Sequence, residues 1–330
     1  MVRFGVIGTG SISELFLDAA KGTKGFYPAA LYSRNREQGE AFAARHGIER
    51  VFTDLQEMAA WEGVDAAYVA SPNSCHCDQS LLMMEHGKHV LCEKPVASNS
   101  MELHQMLETA RRNKVVLLEA MRPVFDPGFA KIEELLPRLG TVRRATFQYN
   151  QYSSRYDKFK AGEIKNAFNP ALSNAAVMDI GVYCIHPLVK LFGMPKQIQV
   201  QSLILENGME GQGTILASYE GMLAELLYSK IADSKLPSQI LGEEGSLVIR
   251  QIQEPDEIIW YPRNGQEEHF IIEKRKNNMY YELQAFLSMI AGEASPENYN
   301  QASVMEMEMM DQVRKLAGIR FDSQDPLFLR

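Results

Sequence analysis

Val2-Arg3-Phe4-Gly5-Val6-Ile7-Gly8-Thr9-Gly10-Ser11-Ile12-Ser13 opens the chain and decides how its first third folds. The apolar run up to Ile7 reads as a buried strand, and Ser11 to about Gly22 reads as a helix. A glycine pair at such a junction has a physical use. Gly8 permits the tight turn, and Gly10 lets the backbone approach a pyrophosphate seated on the positive end of the helix. Gly8, Thr9, Gly10, Ser11 and Ile12 are therefore the expected contacts of a dinucleotide. Ser13 stands where a third glycine is usual, which predicts a looser helix–strand contact. The competing reading is a turn that only shapes the fold.

Working outward, short apolar runs alternate with helical patterns. Strands are expected at 29–33, 65–70, 88–92 and 115–119. Helices are expected at 36–46, from about 71 to 86, and at 101–113. Alternation of this kind predicts an α/β domain with a doubly wound parallel sheet over residues 1–121. Beyond residue 121 the rhythm changes. A helix at 129–139 and a long strand at 142–151 precede residues 153–173, which have no clear period and read as a functional or mobile loop. A helix at 175–192 follows, then strand-like runs at 196–206, 213–219, 222–231, 236–241, 245–251, 256–262 and 267–273, and helices at 278–291 and 301–317. Strands in succession without helices predict a mainly antiparallel sheet, so residues 122–330 read as one α+β domain.

With 330 residues, 45% hydrophobic and 23% charged, there is material for about two cores, and disorder is excluded as the main state. The net charge of −8 disfavours nucleic acid as a bulk partner. No membrane span and no signal peptide are expected. Four cysteines, Cys75, Cys77, Cys92 and Cys184, are too few for a disulfide framework and point to a reducing cytoplasm. Cys75-His76-Cys77 has metal-like spacing, but no second ligand pair follows, so no metal is expected.

The strand at 29–33 ends in Ser33-Arg34. An acidic residue there would accept a ribose 2′-hydroxyl and repel a 2′-phosphate. A hydroxyl and a guanidinium, with Arg36 close by, suit the phosphate instead. The expected cofactor is NADP, with NAD the alternative.

Two further segments stand at strand ends: Ser71-Pro72-Asn73-Ser74-Cys75-His76, and His89-Val90-Leu91-Cys92-Glu93-Lys94-Pro95. Together with the glycine loop, Asp179-Ile180-Gly181-Val182-Tyr183 and Ile240-Leu241-Gly242-Glu243-Glu244-Gly245-Ser246, they resemble the glucose–fructose oxidoreductase, inositol dehydrogenase and MocA (Gfo/Idh/MocA) family. The resemblance runs in order along nearly the whole chain. It implies a Rossmann domain followed by a large open sheet, a nicotinamide cofactor, a sugar-like or polyol substrate, and homo-oligomers formed through the second domain's sheet. It places Ser71, Pro72, Asn73 and His76 by the cofactor, with Asn73 and His76 near the nicotinamide ribose and Glu93 and Lys94 at the reactive end.

Hydride transfer from a secondary alcohol needs a proton acceptor and a positive group at the oxygen. Lys94 follows a strand of the parallel sheet, so it should reach the crevice where such sheets bind ligands. Asp179 and Tyr183 are four apart on an expected helix and share a face. Tyr183 is the expected general acid/base, with Lys94 beside it and Asp179 positioning the substrate; a tyrosine there resembles the dihydrodiol and xylose dehydrogenase branch, where the inositol branch has histidine. The plainer readings are a core tyrosine, a helix-capping Asp179 and a surface Lys94. His186 is more often a packed residue. Where that branch often has three glycines, this chain has Ser173, Asn174 and Ala175, so side chains occupy space near the substrate. Arg122 meets either an anionic substrate or a surface carboxylate. Arg155, Tyr156, Lys158 and Lys160 line the pocket or belong to a solvated loop. Ala302, Met305, Met309, Val313 and Leu316 form an apolar stripe for core or subunit contact. Two rival functions are a non-catalytic dinucleotide sensor on the same fold and a reductase of a non-sugar such as a tetrapyrrole.

Overall fold

The computed structural model describes residues 1–329, which form two units. The first comprises Met1–Arg122 and Arg275–Val304, the second Pro123–Lys274 and the chain from Met305 onward. The division is therefore not the single cut at 121/122 expected from the sequence. Residues 275–304 return to the first unit because they complete its core and hydrogen bonding. Phe286 packs edge-on against Phe4 at 6.0 Å, and the Asn277 amide donates to the Leu15 carbonyl at 2.8 Å. The Asn300 amide donates to the Leu117 carbonyl at 3.1 Å.

In the first unit, strands β1 (Val2–Ile7), β2 (Phe26–Tyr32), β3 (Arg50–Phe52), β4 (Ala66–Val69), β5 (His89–Glu93) and β6 (Leu117–Ala120) form one parallel sheet, ordered β3-β2-β1-β4-β5-β6. Helices α1 (Ser11–Ala20), α2 (Arg36–His46), α3 (Leu55–Ala60), α4 (His76–Glu85) and α5 (Ser100–Asn113) connect them. This order reverses direction between β1 and β4, so the loops after those two strands flank the crevice where open α/β sheets bind dinucleotides. The three-residue β3 and the short α3 had no counterpart in the sequence reading, being too brief to show a period.

The second unit contains α6 (Pro127–Leu135), β7 (Val142–Asn150), α7 (Tyr156–Lys160), α8 (Val182–Phe192), β8 (Gln197–Ile204), β9 (Glu210–Ser218), β10 (Leu223–Ser229), β11 (Ser238–Gly242), β12 (Gly245–Ile249), β13 (Glu257–Pro262) and β14 (Glu268–Ile271). Its eight strands are ordered β14-β13-β12-β11-β7-β10-β9-β8. All pairs are antiparallel except β7 with β10, where Leu226 opposes Phe147 and Tyr228 opposes Tyr149 in parallel register. One face is core: Ile198, Ala217, Ala224, Ala145, Ile240, Leu247 and Trp260 lie in one buried row across the strands. The opposite row, from Leu216 through Glu225, Thr146, Gln239 and Val248 to Ile259, stays half-exposed.

Three expectations need correction here. The expected helix at 175–192 is a π turn at Val177–Gly181 followed by α8. The stretch Pro170–Phe192 is long and apolar enough to cross a membrane by composition, and its most apolar part is mostly buried in this unit. Residues 153–173 are not an irregular loop. They carry α7 and short 3₁₀ turns at Asn166–Phe168 and Pro170–Leu172, and Phe159 and Phe168 form a small core with Met209. Helices α9 (Met279–Ile290) and α10 (Glu297–Ala317) close the chain. On α10, Ala302, Met309 and Val313 are buried, but so are Met307 and Met310, while Leu316 is exposed. The helix is thus buried on more than one face, wider than the stripe read from its spacing.

Candidate functional site

At the nucleotide end, helix α1 starts at Gly10, and no side chain caps it. Its first N–H groups are the natural partners of an anion. Gly8 has φ +115°, and a Cβ there would sit 2.6 Å from the Ala70 carbonyl oxygen, so the turn passes too close to the end of β4 for any side chain. Nothing lies within 4 Å of a Cβ built on Gly10, which leaves that backbone open to a ligand. Ser13 is fully buried and its hydroxyl has no partner, a polar atom enclosed where glycine would leave none. Thr9, Ser71, Pro72 and Asn73 are half-buried around the two loops, while Ser11 is exposed and Ile12 half-buried. The Ser71 hydroxyl is buried without a hydrogen-bond partner, an orphaned polar group beside the crevice. These features fit a dinucleotide.

At the end of β2, Ser33 is buried and its hydroxyl donates to the Asn35 carbonyl at 2.8 Å. Arg34 is exposed and pairs with no carboxylate among the described residues, whereas Arg36 faces Glu40 at 3.6 Å. Of the two residues singled out, the guanidinium is the one presented to solvent, and Ser33 shapes the turn beneath it.

His76 is buried, with Nδ1 2.9 Å from the Pro95 carbonyl and Nε2 3.0 Å from the Ser71 carbonyl. Both ring nitrogens therefore face backbone acceptors, and the ring ties the end of β4 to the segment after β5. Burial holds its pKa below the ordinary value; the two carbonyls oppose that, and the nearby Lys94 charge adds to it. The flanking cysteines are not in disulfides, and burial pushes the Cys77 thiol up to about 12.

Lys94 is half-buried immediately after β5, joined to Pro95 by a cis peptide. Its backbone N–H donates to Glu93 at 3.3 Å, and Glu93 also accepts the Tyr68 hydroxyl at 2.6 Å. Tyr68 is itself stacked on Phe16, with centroids 3.7 Å apart. Burial raises the Glu93 pKa, against the pull of the Tyr68 hydroxyl, Lys94 and Arg122. Glu282 on α9 lies near Glu93 and Arg122, fully buried, with neither carboxylate oxygen hydrogen-bonded. Burial and the Glu93 charge push its pKa well above the ordinary carboxylate range. The acids near Arg122 are thus the buried Glu93 and Glu282, in place of the surface carboxylate that was one of its two sequence alternatives.

In the second unit, the site elements meet at the carboxyl ends of the parallel pair β7 and β10. Tyr183 packs its ring edge-on against Tyr149 at 5.6 Å. Asp179 Oδ2 lies 2.8 Å from the ammonium of Lys230, the residue after β10. Asp179 and Tyr183 thus converge on neighbouring strand ends, although the π turn breaks the simple helical spacing between them. Gly181 is required by packing, since a Cβ there would touch the Tyr228 ring at 3.1 Å. The turn is clamped from behind by Glu210, fully buried, which accepts the Val177 N–H at 2.7 Å, the Ser202 hydroxyl at 2.6 Å and the Tyr228 hydroxyl at 3.0 Å. Burial raises the Glu210 pKa, and those three donors oppose it. Ser173 adopts φ +57°, a left-handed geometry that explains why glycine suits this position, and the Asn174 amide donates to the Asn166 carbonyl at 2.9 Å.

His186 is buried against Glu306, 2.6 Å apart, a core pair as its sequence position suggested. In 153–173, Tyr156 stacks on Phe159 and Phe168, and the Lys160 ammonium meets Tyr152 and Asp157. Arg155 and Lys158 are exposed. Lys230, Glu210 and Glu282 escaped the sequence reading. Lys230 alone left a trace: a lysine inside the apolar strand-like run 222–231 requires a buried partner.

Residues 2–121 match the model of an oxidoreductase family with an NAD-binding Rossmann fold, and residues 129–248 match the GFO/IDH/MocA C-terminal domain. The chain is 46% identical to the scyllo-inositol 2-dehydrogenase (NADP(+)) IolU of Bacillus subtilis, over 97% of this chain and 98% of that protein. This chain belongs to the GFO/IDH/MocA family of oxidoreductases. Within the family it is also 27% identical to the trans-1,2-dihydrobenzene-1,2-diol dehydrogenase of Danio rerio, over 98% of this chain and 99% of that one. The fold matches that of KijD10, a 3-ketoreductase from Actinomadura kijaniata solved with NADP and TDP-benzene, at a TM-score of 0.85 and 20% identity over 96% of this chain and 98% of that one.

Proposed function

We propose that this GFO/IDH/MocA oxidoreductase is an NADP(H)-dependent dehydrogenase or reductase acting on the secondary alcohol or carbonyl of a sugar-like substrate, a cyclic polyol before a dihydrodiol. The observation that carries the reading is its 46% identity, across nearly the whole chain, to an enzyme named for NADP and scyllo-inositol. The exposed Arg34 at the end of β2, with no acid paired to it among the described residues, supports the 2′-phosphate.

The glycine loop, the open start of α1 and the Ser71–Asn73 turn would hold the dinucleotide, with His76 acting through the backbone it braces. When bound, the nicotinamide supplies hydride acceptance or donation at the carbinol carbon. The protein's part is proton and charge chemistry. Tyr183 takes the hydroxyl proton in the oxidative direction and returns it in the reductive one. The Lys94 ammonium favours the negative charge that develops in the reaction. Asp179 accepts hydrogen bonds from neighbouring substrate hydroxyls and orients the ring.

The test is a fluorescence titration of the protein with NADPH and NADH, followed by a polyol, sugar and dihydrodiol screen read by nicotinamide absorbance. NADPH is expected to bind more tightly, and Arg34→Ala to narrow the gap; tighter NADH binding that Arg34→Ala leaves unchanged would overturn the NADP assignment. Turnover of any polyol excludes the pure sensor. We also propose that copies associate through the half-exposed sheet face around Leu216, Leu227 and Val248. Sedimentation should show an oligomer that Leu227→Glu dissociates.

A further inference from the structure

Building on the reading of Asp179 as a substrate contact, we infer that Lys230 is the positioning residue that holds the Asp179 carboxylate, and that the folded segment 152–168 exists largely to keep Lys230 dry. The two members of this ion pair are unequal. The Lys230 side chain is 2% exposed, the Asp179 side chain 32%. The cation is therefore inside the unit and the anion at its surface. A buried ammonium is costly unless its donors are satisfied. Here one is directed to Asp179 Oδ2 at 2.8 Å and another to the Ala167 carbonyl at 2.5 Å, and the Phe168 ring lies 4.9 Å from the charge.

The lysine itself has little freedom. Its backbone N–H donates to the Gly211 carbonyl at 2.9 Å, and its carbonyl accepts the Ser153 N–H at 2.9 Å, so strand β9 and the start of the 152–168 segment fix it from both sides. The roof over it is anchored separately: the Asn207 amide donates to the Phe168 carbonyl at 2.8 Å, and Phe168 packs with Phe159 and Met209. A lysine for solvent would need none of this. Asp179 sits on the π turn Val177–Gly181. Pinning Oδ2 from behind aims the carboxylate, whose remaining lone pairs can take hydrogen bonds from two adjacent hydroxyls of a polyol.

A double-mutant cycle tests this on the full chain, with Lys230→Met, Asp179→Asn and the double variant. Kinetics with saturating NADP+ and the polyol the enzyme oxidises are combined with thermal unfolding in the absence of substrate. Lys230→Met should raise KM roughly 10- to 100-fold with a smaller effect on kcat, as for loss of a charged hydrogen bond. NADPH affinity should stay within about twofold, since the nucleotide contacts lie in the other unit. Asp179→Asn should cost much less in the Lys230→Met background than alone. Independent, multiplying effects, or an unchanged KM in Lys230→Met, would overturn the inference. The unfolding arm stands without a substrate. Lys230→Met should lower Tm, and Asp179→Asn should lower it less in that background than alone. If the wild type turns over no polyol, the functional reading fails, and this arm still decides on Lys230: non-additive losses support its coupling to Asp179, and additive losses refute it.

Discussion

The two units solve the same problem, holding polar groups at the ends of parallel strands, by different means. The first unit does it with backbone. Gly8 turns where a side chain would strike the Ala70 carbonyl, and α1 offers uncapped N–H groups. The second unit does it with buried charge. Glu210 clamps the π turn and Lys230 pins Asp179, each reaching across a long sequence separation. A backbone site depends on a few consecutive residues. A buried-charge site depends on every partner at once, because losing one leaves another unpaired. The difference teaches where each unit should be fragile.

Several substitutions would break or sharpen that contrast. The largest effect is expected in turnover: Tyr183→Phe and Lys94→Ala should each lower kcat roughly 10²- to 10⁴-fold while NADPH still binds, measured by steady-state kinetics beside a binding titration. Next, Gly8→Ala should cost about 3 kcal/mol of stability and abolish NADPH binding, since its φ and the Ala70 contact both forbid a Cβ. Gly10→Ala, with open space and φ −81°, should leave chemical denaturation unchanged and weaken only the nucleotide. Equal losses at both glycines would mean that the loop shapes the fold alone.

In the second unit, Glu210→Leu should cost about 2–4 kcal/mol, because it strands the Val177 N–H and two buried hydroxyls. Glu210→Gln keeps an acceptor for that N–H and should cost far less by urea denaturation. The smallest effect concerns pH. Glu282 has a folded pKa raised above the ordinary 4.5, so between 4.5 and that raised value the folded state holds a proton the unfolded state has lost. Stability therefore falls as pH rises through this window. Glu282→Gln should remove that share of the decline, so wild type and variant diverge as pH rises from 4.5; parallel curves would show that Glu282 ionises freely in the fold.

The same contrast separates what could be read early from what could not. The glycine loop, the Ser71–His76 turn and Glu93-Lys94-Pro95 are local signals on predictable strand ends, and the structure places them on the loops after β1, β4 and β5. All seven strand-like runs after residue 196 are strands. Short elements such as β3 and α7 were lost because three to five residues carry no period. The single parallel pair was lost because β7 and β10 are neighbours only through the sheet order. That the Ser33 hydroxyl donates to the Asn35 carbonyl was not visible in the sequence either, since it depends on how the turn after β2 closes.

By itself, then, the order of residues determined the parallel sheet of the first unit, the strand-rich second half and a crevice built for a dinucleotide. Those follow from hydrophobic period and from glycine's freedom, which act over a few neighbouring residues. Only the tertiary structure decided that residues 275–304 return to the first unit, that Glu282 faces Glu93, and that Lys230 is buried behind Asp179. The cost of burying a charge depends on which distant groups surround it, and no local pattern of sequence encodes that.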